Sequence, residues 1–201
     1  MTRILILDYG VGNLFSLSSA IEREGATPLI SAEIPSDLSF DGLILPGVGN
    51  FSPVAARLRG LREPIERVVE SGRPLLGVCL GMQILFHRSE EGEGEGLGLI
   101  AGDVVKLPAF VKTPHMGWNN LERVRLHPLL DEVADDGWVY FVHSYYPQPE
   151  DEQVVLARTH YGISFPVMVA RENVYGMQFH PEKSGQTGRT VLRNFLRLCA
   201  R

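Results

Sequence analysis

Cysteine is scarce in this chain. Its 201 residues hold two, Cys79 and Cys199, too few and too far apart for a disulfide framework or a thiolate metal site. Lysine is nearly as rare: of 19 basic residues only Lys106, Lys112 and Lys183 are not arginine, a bias of genome composition or habitat rather than of activity. Positive charge is not in excess either. The net charge is −5 and the pI about 5.7, which argues against life on nucleic-acid phosphates or anionic membranes. No window approaches 18 consecutive apolar residues, so no membrane span is expected. The apolar run from Ile4 to Leu7 is too short for a signal-peptide core. A soluble, cytoplasmic protein is the expectation. There is no G-x-x-x-x-G-K-[ST] loop, and Gly10-Val-Gly12 is followed by Phe15 where a dinucleotide fingerprint needs its third glycine. No His/Cys cluster suggests a metal, and no cofactor is expected.

What is present is ordinary globular material: 44% hydrophobic and 21% charged residues, enough for one domain spanning 1–201. Apolar runs alternate with helical patterns in the first half. Residues 3–8, 41–45 and 74–78 read as buried strands; residues 13–24, 61–71 and 80–88 read as helices, with glycines at 25 and 72 as stops. Such alternation predicts a parallel sheet covered on both faces. Between about 97 and 180 most segments read as strands, with a short helix near 128–133, and antiparallel pairing is expected there. Residues 187–200 carry an apolar helical face that includes Cys199, which reads as core. Residues 90–96 (EEGEGEG) read as a solvated loop.

Cys79 is the residue that needs explaining. It lies between a buried strand and a predicted helix, inside Gly77-Val-Cys79-Leu80-Gly81, the pattern of a nucleophile elbow with Cys in place of Ser. The Leu80 amide is expected to point at an oxyanion formed on a bound carbonyl, and the helix N-terminus to favour the thiolate. Of six histidines, His180 stands out in Gln178-Phe-His180-Pro-Glu182. In an extended segment residues two apart face the same way, so Glu182 can orient the imidazole of His180 and stabilise its cation. The turn Pro46-Gly47-Val48-Gly49 can supply a second oxyanion amide. His87 and His127 read as structural; His115, His143 and His160 stay open on chemistry alone.

With Gln83 after the elbow and Lys183-Ser184 after His180, these motifs resemble the class I (triad) glutamine amidotransferases. Pro46-Gly-Val-Gly49, Pro114-His-Met-Gly-Trp118-Asn119 and His143-Ser144-Tyr145 resemble the glutaminase subunits of imidazole glycerol phosphate synthases, from histidine biosynthesis. The likeness runs from Tyr9-Gly-Val-Gly-Asn13 to the last helix. It implies a flavodoxin-like three-layer α/β sandwich with a mixed sheet, and hydrolysis of L-glutamine by Cys79, His180 and Glu182. It further implies glutamine and oxyanion contacts from Gly47, Val48, Gly49, Leu80, Gln83, Ser144 and Tyr145. The ammonia would pass to a separate (β/α)8 cyclase subunit, docked at a rim of Asn13, Trp118 and Lys183. Lys183, one residue beyond Glu182, is expected to point away from the triad. Rival readings are the glutaminase of a pyridoxal phosphate or anthranilate synthase, a non-catalytic regulator on the same fold, or a cysteine peptidase.

Overall fold

The computed structural model describes residues 1–201. Its first half runs Arg3–Leu7 (β1), Leu14–Arg23 (α1), Thr27–Ser31 (β2), Gly42–Leu45 (β3), Phe51–Leu58 (α2), Arg62–Glu70 (α3), Leu75–Val78 (β4) and Leu80–Gln83 (α4). The second half is strand-rich: Gly102–Lys106 (β5), His115–Asn120 (β6), Glu122–Arg123 (β7), Trp138–His143 (β8) and Tyr145–Pro149 (β9). Val155–Tyr161 (β10), Ile163–Arg171 (β11), Val174–Met177 (β12) and Gly185–Cys199 (α5) complete it. No helix is long and apolar enough to cross a membrane.

The main sheet has the order β2-β1-β3-β4-β12-β11-β10-β7. The first five strands are parallel and the last three antiparallel, so the sheet is mixed, as expected. Both faces are covered. Ile4 and Ile6 of β1 belong to one core with α1 and α5, while Leu5 and Leu7 face a second core with α2 and α3. A strand buried on both sides is apolar at every buried position, which is why the four residues after the exposed Arg3, Ile4 to Leu7, do not alternate. Helix α1 is capped by Asn13, whose Oδ1 accepts the Ser16 amide at 3.1 Å. The second-half strands largely appear as read, except that the continuous run 137–146 breaks at Ser144. Strand β8 then pairs with β6, and β9 with β5.

Two elements of the first half carry no signal in the sequence reading, and strands β6 and β7 of the second half are not read individually. Strand β2 is a half-buried edge. Helix α2 contains Pro53, which falls within its first turn, where a missing N–H costs nothing. The predicted helix 80–88 is corrected to a single turn, Leu80–Gln83. Residues 80 to 86 are all buried, leaving no solvent-facing side for an amphipathic helix. The chain past Gln83 pairs instead with the following loop, through Leu97 N to Ile84 O at 2.7 Å and His87 N to Gly102 O at 3.0 Å.

Parallel strands send their carboxyl ends to one edge, where ligands of such sheets bind. Here that edge collects the turn after β1 (Tyr9–Gly12), the turn after β3 (Pro46–Gly49), Cys79 after β4 and His180 after β12. Close packing at this edge depends on two glycines. A Cβ on Gly81 would sit 1.9 Å from the Leu45 carbonyl oxygen, and one on Gly77 would sit 2.3 Å from that of Gly81. Both obstacles are backbone, so nothing can swing aside. Gly81→Ala and Gly77→Ala should each destabilise by about 1–3 kcal/mol or more, as overpacking does. Gly60→Ala, with no neighbour within 4 Å, should stay within about 0.5 kcal/mol in the same urea titrations.

Candidate active site

Cys79 occupies the junction of β4 and α4 with φ 55 and ψ −110, a region costly for any residue with a Cβ. The glycines of the elbow therefore serve close approach, while the cysteine itself bears the strain. The backbone is held there by Cys79 N donating to Met177 O at 2.8 Å on β12. The sulfur is buried: Gln178 Nε2 donates to it at 3.7 Å, and it lies 3.9 Å from the Val142 carbonyl. A four-residue helix carries little macrodipole, so the expected help from a helix N-terminus gives way to the histidine beside the thiol.

His180 follows β12, and its Nδ1 meets Glu182 Oε1 at 3.1 Å with both side chains almost fully buried. The geometric reason differs from the expected one. The segment is not extended through 182; Pro181–Lys183 form a 3-10 turn started by the proline, and the turn folds the carboxylate back under the ring. Ser184 locks it, donating to His180 O at 2.6 Å and accepting from Tyr140 N at 2.9 Å. Burial alone would lower the imidazole's affinity for a proton. The Cys79 sulfur and the Glu182 carboxylate override burial and raise His180 to about 10. Its Nε2 is buried with no hydrogen bond, as is Glu182 Oε2. That nitrogen is the one titratable atom beside the thiol not already committed.

A cleft of about 150 Å³ opens on Cys79, lined by Val48, Gly49, Leu80, Gln83, Ser144 and Tyr145 among others. Six of the seven predicted oxyanion and substrate residues thus meet there; Gly47 packs just behind, against Leu80. One expectation is corrected. The Leu80 amide is not free for an oxyanion: it donates to Gly47 O at 3.3 Å. The Tyr9 hydroxyl donates to Pro46 O and pins the turn's start, while Gly49, at φ +107 with nothing within 4 Å of a Cβ position, leaves its far end free to turn.

Three residues in or directly behind the cleft wall were given no role by sequence reasoning. Glu91, placed in the solvated loop by its glycine-rich surroundings, lines the cleft, and its Oε2 accepts the Phe51 amide at the start of α2 at 2.8 Å. Burial pushes its carboxyl up against that bond. Gln178 links Cys79 to Gln83, accepting Gln83 Nε2 at 3.1 Å; its place in the His180 motif was the available signal. His143 lines the cleft too, but both ring nitrogens are engaged, so it is no rival base. His87 and His127 accept backbone amides, of Gly102 and Leu129, as structural histidines do. His160 is exposed. Cys199 is core, its sulfur packed over Gly42. Of the three rim residues, Trp118 is 53% exposed and meets the Tyr140 ring edge-on at 6.0 Å. Lys183 is exposed, and its Nζ stands 5.9 Å from the same ring. Asn13 is exposed, but its side chain is spent capping α1.

The sequence profile of glutamine amidotransferase class-I matches residues 5–199. The chain is 50% identical over 205 residues to imidazole glycerol phosphate synthase subunit HisH of Geobacillus thermodenitrificans, covering 98% of this chain and 96% of that one. It is 46% identical to the subunit of the same name from Methanosarcina barkeri, covering 99% and 100%. Among solved structures it is similar to PurLQS from Thermotoga maritima (TM-score 0.77, 21% identity, 98% of each chain). A crystal structure of a glutamine amidotransferase is also similar (TM-score 0.76, 24% identity, 98% of this chain and 99% of that one).

The charge on His180 can be tested without substrate. In the fold it persists to about pH 10, in the unfolded chain only to about 6.5. A raised value of this kind stabilises fully below pH 6.5, and the contribution fades as pH climbs towards 10. Between pH 7 and 10 the wild type should therefore lose stability relative to His180→Asn in urea titrations. Parallel pH curves for the two proteins would show that the imidazolium is absent.

Proposed function

The chain belongs to the class I glutamine amidotransferase family, and we propose that Cys79, His180 and Glu182 carry out its hydrolysis of glutamine. The protein is the glutaminase subunit of an imidazole glycerol phosphate synthase, in histidine biosynthesis; relatives of that name match it along nearly its whole length. The observation that carries the residue assignment is the uncommitted, buried Nε2 of a histidine held by Glu182, beside a thiol on a strained elbow.

The Cys79 thiolate attacks the carboxamide carbon of glutamine. His180 Nε2–H protonates the departing ammonia and leaves a glutamyl thioester. The same nitrogen then takes a proton from water; the hydroxide attacks the thioester carbon, the C–S bond breaks, and glutamate, the thiolate and the protonated imidazole result. Glu182 holds the ring and its charge throughout. The cleft can sort glutamine by its charged end: the Glu91 carboxylate suits the α-ammonium, and the backbone around Ser144 and Tyr145 suits the α-carboxylate. Gln83 has spent its amide protons on Tyr145 O at 2.9 Å and on Gln178, which leaves its oxygen to accept from the substrate.

The relatives are named as subunits, so the chain works with a partner, which we identify as a (β/α)8 cyclase that consumes the ammonia. Its docking rim would be Trp118 and Lys183, with Asn13 beside the Pro46–Gly49 turn. The resting turn favours control by that partner. While Gly47 O occupies the Leu80 amide, the oxyanion has no donor from Leu80. Rotating the Gly47–Val48 peptide would free that amide and bring in the amide of Val48, an active arrangement that acceptor binding can select.

Cys79→Ala should abolish glutamate release from glutamine, while the assembled synthase still makes product from ammonium salts. His180→Asn should be nearly as damaging, and Glu182→Gln less so; equal rates for Glu182→Gln and wild type would dismiss the triad. The isolated chain should hydrolyse glutamine on the order of 10²- to 10³-fold more slowly than the assembled complex with acceptor bound, the worth of one oxyanion donor. Equal rates in a steady-state glutamate assay would rule the switch out.

A further inference from the structure

His115 and His143 are two buried histidines that the triad does not use. They face each other across the β6–β8 pair in direct register. His143 Nδ1 lies 2.9 Å from Tyr145 O, His143 Nε2 lies 3.0 Å from His115 Nδ1, and His115 Nε2 lies 3.3 Å from Asn119 Nδ2. The direction of this chain is fixed at both ends. A carbonyl only accepts, so His143 carries its proton on Nδ1 and accepts at Nε2. His115 must then donate from Nδ1 and accept at Nε2. The Asn119 orientation agrees: its Oδ1 already accepts the Asn120 amide at 2.9 Å, and its Nδ2 also donates to His160 O at 2.9 Å. Protonating His143 would set two N–H groups head to head. The surroundings favour neutrality as well, since His115 is stacked between Phe141 and Tyr161 and burial holds both imidazoles far below their usual range.

We propose that His143, backed by His115, is a positioning residue of the glutaminase site: a one-way chain of uncharged imidazoles that fixes the Tyr145 carbonyl and, through it, Gln83. The inference rests on the glutaminase reading above. The Tyr145 carbonyl stands where the β8–β9 run breaks, at the first residue of β9, where the register with β5 ends at the Lys106–Tyr145 pair. It accepts two bonds, one from Gln83 Nε2 and one from His143 Nδ1, each at 2.9 Å. Without the second, the peptide can turn and Gln83 loses its anchor, so the wall that grips glutamine loosens while the Cys79–His180 pair is untouched. An uncharged pair performs this task without placing a second cation beside the His180 imidazolium. Strand β6 then works on both faces. His115 and Asn119 point in to the chain, whereas Met116 and Trp118 on the alternate positions are 62% and 53% exposed.

The tautomers can be read directly by nitrogen-15 NMR of the imidazoles in the wild-type chain at pH 7, with His143→Asn and His115→Phe used for assignment. Both residues should carry Nδ1–H and an unprotonated Nε2. An Nε2–H tautomer or an imidazolium at either would overturn the chain. Kinetics of the assembled synthase supply the second arm. His143→Phe keeps the ring volume but removes both bonds; it should raise KM for glutamine tenfold or more and lower kcat less than threefold. His143→Asn, whose side-chain amide can replace the Nδ1–H donor, should recover most of the KM. His115→Phe, which keeps the stacking, should show a smaller rise. A KM within twofold of wild type in folded His143→Phe, or a fall in kcat at constant KM, would overturn the proposal. Glutamate release by the wild-type complex is checked first. Its absence would overturn the functional reading and this proposal together, whereas a wrong tautomer with normal turnover would overturn this proposal alone.

Discussion

The parallel pairing of β4 with β12 is the contact on which the rest of the site depends. It aligns Val78 with Met177, so the chain leaves both strands at the same level and delivers Cys79 and His180 to one edge. The Cys79 amide is tied to Met177 O, which couples the elbow to the histidine's own strand. Any shift of this register by one residue would turn every β12 side chain to the opposite face and carry His180 with it. The register is well defended. Strand β12 lies between β4 and β11, is buried throughout, and meets Met82 of the elbow turn at Gly176, where a Cβ would sit 2.7 Å from the Met82 side chain.

Around that pairing the structure holds two costly arrangements, and they support each other. A left-handed cysteine costs roughly 1–3 kcal/mol unless its surroundings leave no alternative. Here Gly77 and Gly81 pack so closely on the neighbouring backbone that the turn has one path. The second cost is the burial of His180 with Glu182. Removing two charged groups from water is repaid only by good geometry and further hydrogen bonds. The 3-10 turn and the Ser184 bridge provide that geometry, and the Cys79 sulfur beside the ring also favours its cation. Strain presents the thiol, and the thiol helps keep the imidazole charged.

Local chemistry was legible in the sequence and remote packing was not. Cys79, His180 and Glu182 announced themselves because each sits in a short pattern whose chemistry is complete within a few residues. Strand β1 and helix α1 were equally plain, since a two-sided apolar run and a capped amphipathic helix are local facts. The adjacency of β4 and β12 was invisible: most of the second half intervenes, and no periodicity reports which parallel strand comes to lie beside which. Helix 80–88 was misjudged because its apolar residues match a buried loop as well as a helix face. Glu91 was missed for a related reason. In EEGEGEG composition points to solvent, and only the start of α2, which needs an acceptor for its first amide, draws that carboxylate inward.

The placement of Glu91 also bears on why the cleft selects an amino acid. In the free protein this carboxylate is partly withdrawn from water and compensated by a single amide, and burial pushes its proton affinity up. It lacks a cation. At the other end of the cleft His180 is cationic and Cys79 stands to become anionic, a pair already matched within itself. A ligand that brings an ammonium to Glu91 and a neutral carboxamide to Cys79 satisfies both ends, because the carboxamide adds no charge to the matched pair. A dicarboxylate such as glutamate would satisfy the first end but set a carboxylate against the thiolate, repelled in a site where water screens little. The same distribution that favours binding of glutamine before reaction therefore favours departure of glutamate after it.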